Sequence, residues 1–210
     1  FTLCCKQDPK GFRNLSGLIT SKQMEKFEHL EYGKIYHIYN RGINKGDVFF
    51  ETKNYEYFMN LYAKHVDPIA ETYAWCLMKN HFHLLVKIKD ESQINETRNP
   101  YQYFSNLFNA YAKGINKTYG RTSSLFQKKF KRKLVDNETY FKNLILYIHN
   151  NPVNHGICQD AMDYAWSSYL THCSDKTTNL KKDEVLDLFE DLENFKVAHT
   201  LSINMPDLEF

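Results

Sequence analysis

Tyr73-Ala-Trp-Cys-Leu-Met-Lys-Asn-His-Phe-His-Leu-Leu-Val-Lys87 is the stretch from which the fold is read. Glu71 to Met78 is rich in aromatic and apolar side chains, and Lys79-Asn80 has the composition of a turn or bulge. From Phe82 to Lys89 the apolar positions alternate, with Phe82, Leu84 and Val86 on one face and His81, His83 and Leu85 on the other. Two consecutive strands follow, the second beginning with two imidazoles that point the same way. Such a pair suits a metal ion. It equally suits a strand whose histidine face meets solvent, and in a chain with nine histidines the spacing alone does not choose.

Working outward, Lys34 to Arg41 reads as an earlier strand and Thr52 to Val66 as a helix with Thr52 as its cap. Pro100 to about Thr118 reads as a second helix, with proline suited to its first turn, and Phe126 to Val135 as a last strand. The order β-α-β-β-α-β predicts an α+β fold with a ferredoxin-like antiparallel sheet. Asn137 caps an added C-terminal helix in which Tyr140, Leu144, Tyr147 and Ile148 recur at helical spacing until Pro152 stops it. Three regions are expected: a lead-in over residues 1–31 with a short helix from Ser21 to Leu30, a catalytic domain over 32–172, and an acidic helical tail over 173–210. In the tail, Lys182 to Lys196 carries an apolar stripe of Val185, Leu188, Phe189, Leu192 and Phe195, which favours packing onto the domain over binding a partner.

The 210 residues, 42% hydrophobic and 15% aromatic, are enough for a globular domain with a sizeable core. No apolar run reaches the ~20 residues that span a bilayer, and the first residues lack a secretory pattern, so no membrane association and a cytoplasmic location are expected. Five scattered cysteines without Cys-x-x-Cys spacing read as reduced thiols, Cys76 among them as a core residue. Residues 1–174 carry 23 basic and 16 acidic side chains, a net +7, whereas 175–210 carry 4 and 9, a net −5. That asymmetry fits a nucleic-acid-facing body with an acidic tail, and also a plain solvated surface.

Further motifs stand in order along the chain: Tyr36-His-Ile-Tyr-Asn-Arg-Gly42, then the His81-Phe-His83 stretch, Leu125-Phe-Gln-Lys-Lys-Phe130, Tyr147-Ile-His-Asn-Asn-Pro-Val153 and Trp166-Ser-Ser-Tyr169. With these, the chain from about Gly33 to Tyr169 resembles the single-tyrosine HUH transposases, in particular the REP-associated and insertion-sequence transposases. The resemblance implies that His81 and His83 on a central strand are metal ligands, that Asn151 is the third, and that Tyr147 is the nucleophile toward single-stranded or hairpin DNA. Lys79, where proline is usual, and Asn154-His155, in place of Arg-Ala, depart from the family pattern beside the site.

Cleavage of a phosphodiester needs an in-line nucleophile and a cation on the non-bridging oxygens. Imidazoles with an amide oxygen suit Mn²⁺, and abundance favours Mg²⁺, so either cation is expected. A tyrosine linkage keeps the bond energy for rejoining, in keeping with the lack of a Gly-x-x-x-x-Gly-Lys loop. Asn151, four residues after Tyr147, shares its helix face, although it also suits a C-terminal cap and Tyr147 a core position. Lys128, Lys129, Lys131, Arg132 and Lys133, interleaved with Phe126 and Phe130, together with Arg41, are the candidate DNA contacts; His37 shares the strand face of Arg41 and suits a structural hydrogen-bonding role equally well. Monomer and homodimer both remain open. A domesticated nucleic-acid-binding module without turnover, and a hydrolase with no covalent step, are the competing functions.

Overall fold

The computed structural model describes residues 29–94 and 99–201; the helix expected from Ser21 begins outside them, as do Cys4 and Cys5. Strands β1 (Ile35–Arg41), β2 (Ala70–Met78), β3 (His81–Ile88) and β4 (Lys131–Val135) alternate with helices α1 (Thr52–His65) and α2 (Pro100–Thr118). Helices α3 (Glu138–Asn154), α4 (Tyr169–His172), α5 (Lys182–Asp187) and α6 (Leu192–His199) follow. The sheet order is β2-β3-β1-β4, every pair antiparallel, which is the ferredoxin-like arrangement expected. No helix among the described residues is long and apolar enough to cross a membrane.

Alternation along the strands divides the core into two layers. Tyr36, Ile38, Phe82, Leu84 and Val86 meet Phe58 and Tyr62 of α1 and Phe104, Phe108 and Tyr111 of α2 on one face. On the other face, Ala74, Cys76 and Leu85 meet Leu144, Ile145 and Ile148 of α3, with Val185, Phe189 and Phe195 from α5 and α6. Burial of Cys76 agrees with its reading as a core residue.

Several boundaries differ from expectation. The cap of α1 is Glu51: its extended backbone turns its carboxylate onto the amide of Asn54, while the Asn54 amide oxygen accepts from the backbone of Glu51. Thr52 is the first helical residue. The last strand begins at Lys131 instead of Phe126, because Lys129 adopts a left-handed conformation (φ 61°) and leaves Phe126 a single bridge to Gly42. The tail stripe is split between two helices by Glu190, also left-handed (φ 74°).

The difference with most consequence concerns α3, which runs through Pro152 to Asn154. It ends at Gly156 (φ 67°), where Ile157 N–H donates to the Pro152 carbonyl at 2.9 Å and Gly156 N–H to the Val153 carbonyl at 2.9 Å. These two bonds make a Schellman termination, so Gly156 is the stop. Asn151 therefore lies inside the helix and its side chain is not a cap.

Beyond α3 the chain covers the outer edge of β2. Leu77 N–H donates to the Trp166 carbonyl, Ser168 N–H to the Trp75 carbonyl, and Trp75 N–H to Ser168 Oγ, each at 2.9 Å. This occupies backbone groups that an open edge strand would expose. Ser168 Oγ also meets His149 Nε2 at 2.7 Å, and His149 Nδ1 meets His199 Nε2 at 2.9 Å, which ties α6 onto α3.

Burial holds these histidines neutral: His199 and His172 are pushed down to about 4, and His149 lies well below the usual range, through desolvation and then its histidine neighbours. Above the unfolded value near 6.5 neither state is charged. Below it the unfolded chain takes up protons that the fold refuses, so stability falls with pH by up to about 1.4 kcal/mol per unit for each histidine. We predict a steep drop in the thermal midpoint between pH 6.5 and 4, measured by circular dichroism, with a shallower drop in His199→Phe; a midpoint flat over that range would contradict the buried neutral cluster.

Candidate functional site

The site forms where β1, β3 and β4 present one face to α3. Register places Arg41 opposite His81 and Tyr39 opposite His83, with Lys131 opposite Tyr39 and Lys133 opposite His37. Residues paired in this way share a face. His81 and His83 are 2% and 0% exposed, so the solvent-facing alternative is excluded: α3 covers both rings.

The hairpin turn that delivers the histidines is anchored by its backbone. The Lys79 carbonyl accepts from Val48 and Phe49, and the Asn80 carbonyl accepts from Gly42 at 2.8 Å. A Cβ on Gly42 would stand 1.9 Å from the Gly46 carbonyl oxygen, so this position requires glycine.

From α3, Tyr147 sets its ring edge-on to His83, with centroids 5.5 Å apart and planes at 85°. One turn on, Asn151 Oδ1 lies 2.8 Å from His81 Nε2. The other nitrogen of His81, Nδ1, lies 2.7 Å from Asn80 Oδ1, and the Asn80 amide NH₂ is committed to the Lys45 carbonyl at 3.2 Å. Asn80 can therefore only accept from His81. A neutral imidazole carries one hydrogen, so with Nδ1–H donating to Asn80, His81 turns a lone pair toward Asn151. Either the Asn151 amide then rotates its NH₂ to the ring, or a cation stands between the two acceptors.

Burial keeps both rings neutral, the form that binds metals. His81 is pushed down to about 4, chiefly by burial; His83 is lowered well below the usual range by burial and then by His37, His81 and His155. Among the described residues no three His, Cys, Asp or Glu side chains gather to hold an ion. The donors available are thus two imidazoles and one amide oxygen. Adjacent donors of an octahedral ion with ligands at about 2.1 Å stand about 3 Å apart, so the 2.8 Å gap fits a small divalent cation.

The expected basic contacts separate. Lys131 and Lys133 lie on the site face, over the rings of Tyr39 (5.9 Å) and Tyr140 (5.0 Å). Arg132 lies on the opposite face, over Tyr101 (5.0 Å) and Phe130 (5.3 Å). Lys128 and Lys129 line a cavity of about 250 Å³ with Asn40, Asn109 and Gln127. Three neighbours were not singled out for the site from sequence. Asn80 orients His81, Tyr39 stacks beside His37, and the His155 ring lies 5.2 Å from that of His81. A signal existed for His155: it follows Asn151 by one more helical turn.

Comparison with known proteins bears on these residues. The family model described as "Transposase IS200 like" matches residues 31–151, more than half of the chain. A Haemophilus influenzae protein that bears the name of a REP-associated tyrosine transposase is 27% identical over 148 residues, covering 62% of this chain and 84% of its own length. The solved structure of a REP-associated tyrosine transposase bound to a REP hairpin aligns with a TM-score of 0.55 at 17% identity, over 72% of this chain and 86% of that one.

Because Gly42 cannot take a side chain without moving the 42–49 segment off the hairpin turn, we predict that Gly42→Ala costs about 1–3 kcal/mol. At roughly 2–4 °C per kcal/mol for a domain of this size, thermal melting will register the loss. An unchanged midpoint would mean that the segment adapts freely.

Proposed function

The chain belongs to the IS200-like transposase family, and from that premise we propose that it is a divalent-cation-dependent single-strand DNA endonuclease and strand transferase with Tyr147 as its nucleophile. The observation that supports this best is the delivery by one helix of Tyr147 to His83 and Asn151 to His81. His81, His83 and Asn151 would hold Mg²⁺ or Mn²⁺. Bound there, the cation would offset negative charge on the non-bridging phosphate oxygens.

The phenol oxygen of Tyr147 attacks phosphorus as the phenol loses its proton. The bond from phosphorus to the 3′ oxygen breaks, that oxygen takes up a proton, and a 5′-phosphotyrosine is left. Reversal by another 3′-hydroxyl rejoins strands without an external energy source. Arg41, Lys131 and Lys133, on the site face, are suited to guide the phosphate backbone toward Tyr147. Lys128, Lys129 and Arg132 are suited to contacts further along the strand. Hairpin DNA is the proposed partner, as in the aligned structure with a bound REP hairpin.

With single-stranded hairpin DNA from the flanks of the gene and Mn²⁺, a covalent protein–DNA adduct is expected on denaturing gels, absent in Tyr147→Phe. Cleavage persisting in Tyr147→Phe would indicate a hydrolase, and binding without cleavage a DNA-binding module. Separately, Lys131→Ala/Lys133→Ala should weaken binding of this DNA and reduce the slope of log affinity against log salt by about 0.7 for each phosphate that is no longer neutralised. A slope equal to that of wild type would remove both lysines from the backbone contacts.

A further inference from the structure

His37 is fully buried in β1, and its Nε2 meets Nδ1 of His83 in a hydrogen bond of 2.9 Å. Its other nitrogen, Nδ1, has no hydrogen-bond partner among the described residues. The two imidazole planes are only 15° apart, and their centroids are separated by 5.1 Å. That is close to the nitrogen separation plus a ring radius on each side, so the rings lie edge to edge in nearly one plane, the geometry of a straight hydrogen bond. Stacking on Tyr39, with centroids 4.5 Å apart, fixes the plane of His37.

We propose that His37 is a positioning residue for the cation site: it accepts a hydrogen bond from Nδ1–H of His83 and so presents Nε2 of His83, as a lone pair, to the metal. This rests on the reading of His81, His83 and Asn151 as ligands.

One hydrogen sits between the two facing nitrogens. If His37 donates it, neutral His83 must carry its own hydrogen on Nε2 and offers no lone pair there. If His83 donates it, Nε2 is a ligand. Coordination through Nε2 and acceptance by His37 are therefore the same choice of tautomer, the usual way in which a neighbour of a ligating histidine sets its orientation. Asn80 does for His81 what His37 does for His83, by accepting from Nδ1 at 2.7 Å.

The test uses the full chain, with free Mn²⁺ titrated by electron paramagnetic resonance. His37→Phe keeps a ring beside Tyr39 and removes the acceptor; His37→Gln restores an acceptor near the position of Nε2. We expect Mn²⁺ affinity to fall about 10- to 100-fold in His37→Phe and to recover largely in His37→Gln, with melting curves showing both variants folded. In the Mg²⁺-loaded wild type, ¹⁵N shifts of the side chain should show His83 protonated at Nδ1. Wild-type affinity in folded His37→Phe, or His83 protonated at Nε2 in the Mg²⁺ form, would overturn the inference and leave the site standing. Should His37→Phe fail to fold, His37→Gln and the ¹⁵N shifts decide. Mn²⁺ binding that is absent, or indifferent to His81→Ala, would overturn the ligand reading and this inference with it.

Discussion

Helix α3 is buried on every side from Leu144 to Pro152, and each polar group it carries has to be met where it lies. On the sheet side Asn151 meets His81, and Tyr147 abuts His83. On the tail side His149 meets Ser168 and His199, and the Asn150 amide donates to the His199 carbonyl. Rotation of the helix by one residue would break both sets together. The position of the phenol is thus held in part by tail-side hydrogen bonds that take no part in the proposed chemistry.

The sheet contributes the opposing half of the site through alternation. Odd-numbered residues of β1 and β3 carry His37, Tyr39, Arg41, His81 and His83 on the α3 face, and the even-numbered residues make the aromatic core against α1 and α2. Among the described residues, neutral imidazoles in contact stand at the proposed cation site in place of the acidic cluster common around hard cations. The consequence is a site whose protonation states are set by desolvation, and whose tautomers are set by single neighbouring acceptors.

Much of this was legible in the chain because the signals are local. The hairpin at Lys79-Asn80, the proline in the first turn of α2, the cap at Asn137 and the alternation from Phe82 to Val86 rest on neighbours within a few residues, and the structure carries all of them. Where local rules compete, sequence reading chose the wrong one. Pro152 looked like the end of α3, yet the helix runs past it, and the termination belongs to Gly156, whose left-handed conformation lets two carbonyls be satisfied. Phe126 to Phe130 reads as the start of the last strand, but the turn at Lys129 interrupts the pairing.

By itself the sequence determined the order of elements, the face on which the two histidines lie, and the single helical turn between Tyr147 and Asn151, since all three follow from backbone periodicity. Only the tertiary structure decided that the histidine face is buried under α3, that Arg132 parts from Lys131 and Lys133, and that Asn80 and His37 each stand at the Nδ1 of a histidine. His37 and His83 are 46 residues apart, yet meet at 2.9 Å. Strand pairing and desolvation bring them together, and neither the register nor the burial that makes such a contact matter is written in any short stretch of chain.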